Sequence, residues 1–149
     1  MKKFSMILAA MFMAISFTAC SQSKVPEAVK TAFSKKYPTV KKVDWGKEGK
    51  TQWEAEFKLN GTDVSANFDL QGNWKETETD MKVSNLPAVV VKTINDQFPG
   101  YQIKDANLNE TPQRVAYEID IKKGKSKKEV TIDKKGKLSA TENGGENND

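Results

Sequence analysis

Apolar residues recur at every fourth position in two places along the chain, and after each place the period falls to two. Val25, Val29, Phe33 and Tyr37 form the first stripe, with Ala28 and Ala32 beside it, and Leu86, Val90, Ile94 and Phe98 form the second. A spacing of four keeps side chains on one face of an α-helix, so each stripe predicts an amphipathic helix of about three turns. Pro26 and Pro87 suit a first helical turn, where an amide donor is not missed. Ser23 for the first helix, and Ser84 or Asn85 for the second, are available as caps. Pro38 and Pro99 end both helices, because proline cannot continue the hydrogen-bond ladder.

Beyond each helix the alternation is that of strands. Val43 and Trp45 point one way. Trp53, Ala55, Phe57 and Leu59 alternate with Glu54, Glu56 and Lys58, and Val64, Ala66, Phe68 and Leu70 alternate with polar neighbours. Val115, Tyr117, Ile119 and Ile121, then Val130 and Ile132, repeat the scheme. Such segments form antiparallel strands with one buried and one wet face. Asn60-Gly61 is a strong hairpin signal, and Lys123-Gly124 stands in a similar place. Asp69-Leu70-Gln71-Gly72 and Asp133-Lys134-Lys135-Gly136 predict turns with a left-handed glycine before Trp74 and Leu138.

The two halves are copies. The helical stripes and their proline stops are offset by 61 residues, and the strands and Asp-x-x-Gly turns by 64. Each copy reads as one helix followed by a meander of three or four strands. One such helix cannot cover its sheet alone, and residues 79–83 offer almost no linker. The expected fold class is therefore α+β, with two tandem helix–meander repeats (25–81 and 85–141) and both helices packed on one face of a shared antiparallel sheet of six to eight strands. Residues 142–149 are polar and glycine-rich and read as a flexible tail.

The front of the chain has a different character. Lys2 and Lys3 precede an apolar stretch from Phe4 to Phe17, the pattern of a secretory leader over 1–19, and shorter than the ~20 residues of a comfortable membrane span. Phe17-Thr18-Ala19-Cys20 places small residues directly before the one cysteine. This resembles the bacterial lipobox, which implies acylation of Cys20 and a membrane anchor followed by a short polar tether over 20–24. An ordinary leader cleaved after Ala19, with Cys20 a chance neighbour, also fits. The absence of an aspartate or acidic cluster in the tether is consistent with a periplasm-facing outer-membrane lipoprotein, by resemblance.

Composition narrows the chemistry further. The formal charge of +4 falls to +2 once Lys2 and Lys3 are removed, so the surface is close to balance. Histidine is absent, which removes the commonest general base and zinc ligand. No cysteine remains for an internal disulfide. Neither a nucleophile elbow nor a glycine-rich phosphate loop occurs, and no metal or cofactor is called for. Nucleic acid is not an expected partner of an exported chain, and oligomeric state is not legible.

Three groups of residues are candidate sites. Glu54 and Glu56, matched by Glu118 and Asp120, form a weak acidic face on the second strand of each repeat; they are either a cation or acid–base site or a solvated face paired across to lysines. Lys122, Lys123, Lys125, Lys127 and Lys128 crowd the second hairpin, either to meet an anionic partner or to guard a sheet edge against aggregation. Trp74, after its turn, is a candidate interface anchor; Trp53 is in phase with the core.

The helix, its aromatic-proline stop, the strand alternating acidic and apolar residues, and Phe68-Asp69-x-x-Gly72-x-Trp74 together resemble the PepSY-like family of exported Bacteroidetes proteins, built from tandem units akin to the β-lactamase inhibitor protein fold. The resemblance covers Val25 to about Thr141. It implies a non-enzymatic envelope binding role. The inhibitor relatives bind through an open sheet face and its loops and carry disulfides, which this chain lacks. The leading expectation is thus a binding or inhibitor-like protein offering its sheet to an envelope protein or peptide. A structural component, or a sensor for a metal or small molecule, is the alternative, and an enzyme the remaining one.

Overall fold

A computed structural model describes residues 24–143. The leader, Cys20, most of the tether, the Ser23 cap and residues 144–149 of the tail lie outside the described residues. Glu142 and Asn143, read from sequence as tail, belong to the last strand.

The chain runs α1 (Glu27–Lys36), β1 (Val43–Glu48), β2 (Gln52–Leu59), β3 (Thr62–Asp69), β4 (Trp74–Met81), a 3-10 turn (Val83–Asn85), α2 (Ala88–Gln97), β5 (Gln102–Glu110), β6 (Val115–Lys123), β7 (Ser126–Asp133) and β8 (Leu138–Asn143). All eight strands pair antiparallel in chain order to give one sheet. Each repeat is a helix and a four-stranded meander. The β4–β5 pairing, from Thr77↔Glu110 to Met81↔Ala106, fuses the two meanders. The change of offset from 61 to 64 also has a structural cause. At its loop end the β5–β6 hairpin carries one further pair, Glu110↔Val115, beyond the equivalent of Glu48↔Gln52, and its loop spans 111–114 where the other spans 49–51.

Each helix buries its predicted stripe against its own meander. Val29, Phe33 and Tyr37 pack on Trp53, Ala55, Phe57, Val64, Ala66 and Phe68. Leu86, Val90 and Ile94 pack on Ala106, Ile119, Ile121, Val130 and Ile132. The first core is aromatic, with Phe33 edge-on to Trp45, Phe57 and Phe68 at ring-centroid separations of 5.2, 5.1 and 6.4 Å. The second is aliphatic. Between the cores, Tyr37 and Thr77 share a 2.6 Å hydroxyl hydrogen bond that satisfies both buried groups.

The caps predicted for the second helix are not used. Pro26 and Pro87 occupy the capping position itself, with extended ψ of 144° and 142°, and no side chain caps either helix. Their carbonyls accept from Val29 and Lys30, and from Val90 and Val91. Ser84 and Asn85 are drawn instead into the 3-10 turn, so neither can stand next to the first helical residue.

Helix and sheet meet most closely at the two Asp-x-x-Gly turns. Asp69 accepts from the amides of Gln71 and Asn73 at 3.0 and 2.9 Å, and Asp133 from those of Lys135 and Lys137 at 2.8 and 2.9 Å. The Asn73 side-chain amide and the Lys75 ammonium, both 2.9 Å from Asp69 Oδ2, hold its carboxyl below the usual aspartate range ahead of the backbone amides, whereas for Asp133 the Lys137 amide leads. Gly72 and Gly136 then take φ of +84° and +83°. A Cβ on Gly72 would stand 2.6 Å from the Ala28 carbonyl oxygen, and one on Gly136 2.5 Å from Val89 Cγ2. Ala28 and Val89 are equivalent positions of the two helices. Thr93 Oγ1 donates to the Gly136 carbonyl at 2.7 Å, tying α2 to its turn. A register shift in the sheet accompanies each turn, at Asn67/Phe68 and at Thr131/Ile132.

Gly61 shares the positive φ but faces open space. Gly61→Ala should therefore cost about 1 kcal/mol from backbone strain alone. Gly72→Ala should cost roughly 1–3 kcal/mol more, because backbone rather than a side-chain tip obstructs the new methyl. Urea denaturation of the two variants checks the order, with Gly136→Ala expected between them.

Candidate functional site

The strand phase that faces the helices is apolar or threonine over the two cores, with Lys47, Glu110 and Lys128 at its ends, and the other phase presents a field of carboxylates. Register arranges it in rows that cross the strands. Glu54 pairs with Asn67, which pairs with Glu76. Glu56, Ser65, Glu78 and Asn109 follow on successive strands. Asp80, Asn107, Glu118 and Thr131 form a third row, and Asp105, Asp120, Glu129 and Glu142 a fourth. Like charges directly opposite one another are destabilising in a sheet, so the fourth row costs stability on its own.

The sequence singled out Glu54, Glu56, Glu118 and Asp120, and the structure brings them onto this one face. Their cross-strand neighbours are Gly46, Asp44, Asn67, Ser65, Asn107, Thr131, Asp105 and Glu129 rather than lysines, so the paired-lysine reading does not hold. Arg114 approaches Glu118 only to 3.9 Å, and Lys58 serves Asp63 at 2.6 Å on the rim. Sequence reading missed Glu76, Glu78, Asp80, Glu129, Asn67 and Asn109. The alternation Glu76-Thr77-Glu78-Thr79-Asp80 was the available signal.

Burial, and after it crowding, raises the pKa values of five of these carboxyls. Burial, then the charges of Glu118, Glu76, Glu129 and Glu54, push Glu78 up to about 8. Burial, then Glu118, Asp120, Glu142 and Glu76, push Glu129 up to about 7. Glu54, Glu118 and Asp120 are also raised, each mainly by burial and next by a neighbouring carboxylate. Two asparagines sit among these groups. Asn109 is fully buried and donates Nδ2–H to Glu76 Oε1. Asn67 is 7% exposed. The Oδ1 atoms of both are buried acceptors without a donor. Among the described residues no group of three or more acidic, His or Cys side chains has the arrangement to hold a metal ion.

The other candidates lie elsewhere. Trp74 opens β4 half-buried against the first core, its Nε1–H donating to the Glu76 carbonyl at 2.8 Å and Thr77 Oγ1 at 2.9 Å, with Lys36 Nζ 3.7 Å over the ring. Lys122, Lys123, Lys125, Lys127 and Lys128 gather around the β6–β7 hairpin. Lys123 donates to the Pro99 carbonyl at 3.0 Å and covers Gly100, and Lys128 donates to Asn143 at 2.7 Å, so both brace the fold. Lys122 and Lys127 face each other in the row beyond Asp120 and Glu129.

A two-layer repeat protein with an open polar sheet face is the class this architecture defines. The family model described as "Putative beta-lactamase-inhibitor-like, PepSY-like" matches residues 12–64 and 51–140. The chain belongs to this PepSY-like family. Among solved structures it is similar to a DUF2874 family protein from Bacteroides uniformis (22% identity, 79% of this chain and 88% of that one, TM-score 0.74). It is similar too to a BLIP-like protein from Bacteroides fragilis (22%, 83% and 91%, TM-score 0.72). A third, from Bacteroides eggerthii and described among "putative periplasmic proteins", matches at 23%, 80% and 89%, with TM-score 0.73. At these identities the likeness is one of fold. No curated protein matches the sequence.

The raised carboxyl pKa values set a direction for stability. Between the ordinary glutamate range and pH 8 the folded protein keeps protons that the unfolded chain releases. The stability from this source is complete at the acid end and is lost as pH rises through 7 and then 8. Asp69 and Asp133 act oppositely, and their contribution is lost only as pH falls through and below the ordinary aspartate range. The melting temperature should therefore be higher at pH 5.5 than at pH 8.5 by several degrees. Glu78→Gln should flatten that slope and raise the melting temperature at pH 8.5, as calorimetry across this pH range will show.

Proposed function

We propose that the protein is a non-enzymatic binding module of the cell envelope, presenting the helix-free face of its sheet to a protein or peptide. The observation that carries this reading is the contrast between the two faces. One is closed by helices over two apolar cores, whereas the other holds half-buried carboxylates and two asparagine oxygens that lack a donor, at a stability cost that packing does not explain. Costs of this kind gather at functional surfaces. The family's inhibitor-like description and the BLIP-like neighbour support a binding rather than catalytic role. The leader pattern over 1–19, and a structural neighbour described as periplasmic, support export. Acylation at Cys20 would hold the module at the membrane surface, since each buried methylene of an acyl chain contributes ~0.8 kcal/mol.

The test compares the two faces. Tagged chain from Ser21 onward is used to capture partners from the producing organism's envelope extract, alongside Glu56→Lys/Glu118→Lys on the open face and Lys92→Glu on the outer surface of α2. Capture should survive the helix substitution and fail with the sheet pair, while circular dichroism shows all three folded. Retention by the sheet variant would remove the open face from the function.

A further inference from the structure

We infer that the partner presents a lysine- or arginine-bearing segment, laid across the middle strands so that its side-chain N–H groups meet the Glu76, Glu78 and Glu118 carboxylates that surround the buried Asn67 and Asn109 side chains. This rests on the open face being the binding surface and adds the chemistry of what binds there.

Two independent observations converge on it. The first is the unbalanced charge. The first three rows hold acids on alternate strands and the fourth on successive ones, while the nearest basic groups stand at the margins: Lys58 at the β2–β3 end, Arg114 at 3.9 Å from Glu118, and the Lys122–Lys127 pair beyond the last acidic row. The second is the pair of buried asparagine oxygens. Asn67 stands between Glu54 and Glu76 and Asn109 opposite Glu78, and a buried acceptor left without a donor costs ~1–3 kcal/mol. A ligand rich in N–H donors relieves the repulsion and brings donors to a face short of them, and an anionic or apolar ligand does neither. A point cation fits poorly, because the carboxylates are spread over several strands and no three of the described acids converge as metal ligands. A chain carrying several cations can match acids set on alternate strands, about 9.6 Å apart at ~4.8 Å per strand.

The raised carboxyl pKa values add a signature. Glu78, at about 8, is mostly protonated at pH 7.5, and Glu129, at about 7, partly so. The charges facing Glu78 are Glu54 on β2, Glu76 on β4, Glu118 on β6 and Glu129 on β7, with Arg114 acting on Glu118. A bound cation favours the charged carboxylates, so the complex sheds protons.

The experiment is a titration of 15N-labelled chain (Ser21 onward) with an octalysine peptide at pH 7.5, with calorimetry in two buffers of different ionisation enthalpy. Saturable shifts are expected at the Asn67 and Asn109 side-chain amides and at Ser65 and Thr131, with α1 and α2 unmoved. About one proton should be released per peptide. Glu76→Gln/Glu118→Gln should weaken binding at least tenfold, while Lys125→Gln/Lys134→Gln leaves it unchanged. No saturable shift would overturn the inference. So would the same shifts produced by calcium or octaglutamate but not by octalysine, or concentration-dependent self-association that lapses in Lys122→Gln/Lys127→Gln. If octalysine fails yet Glu76→Gln/Glu118→Gln still loses the captured envelope partner, the sheet face stands as the binding surface and only its cationic preference falls. If that variant keeps the partner, the reading of the face itself falls.

Discussion

The structure hangs on how closely each helix can approach the turn between the last two strands of its repeat. Gly72 and Gly136 let the backbone fold left-handed beneath Ala28 and Val89, where any side chain would strike the helix. That approach fixes where the helix lies over the meander, and so which strand phase is buried. The aspartate three residues earlier sets the turn by accepting two amides, a local bond that forms without help from the rest of the fold. The same device occurs twice, and the two meanders then need only the β4–β5 ladder to become one sheet.

With both helices on one side, the fold divides its labour between faces. Apolar burial on the helix side supplies the stability. It leaves the opposite side free to hold carboxylates closer together than a solvated surface would choose. Asn109, fully buried yet on the helix-free phase, shows that this second face is itself packed and not merely wetted. A packed polar surface with fixed side chains is pre-organised, and pre-organisation reduces what a ligand must spend on ordering its site.

Much of this was legible in the sequence, for reasons that differ by element. The helices declared themselves because four apolar residues recur at a spacing of four and end at an aromatic-proline pair. The hairpin at Asn60-Gly61 did so because both residues adopt positive φ, 52° and 83°, which few other pairs tolerate. β4 was harder to assign a face, since Thr77 and Thr79 point toward the helices and give no hydrophobic alternation. Its outward Glu76, Glu78 and Asp80 consequently went unnoticed, although Glu54 and Glu118 were found on strands whose inward residues are apolar or aromatic. The burial of Asn67 and Asn109 depends on which side chains stand across the ladder, and register is not readable from one strand alone. The lysines of the second hairpin were visible as a cluster, but the bracing roles of Lys123 and Lys128 appear only when Pro99 and Asn143 are brought beside them.

The central claim is that the helix-free face holds its carboxylates under mutual repulsion in partly desolvated positions. Carbon-13 NMR of the glutamate side-chain carboxyls through a pH titration tests it most directly. Glu129 should titrate near 7 and Glu78 near 8, in broadened, mutually dependent steps. Titration of every glutamate on the face at the ordinary value near 4.3 would contradict it.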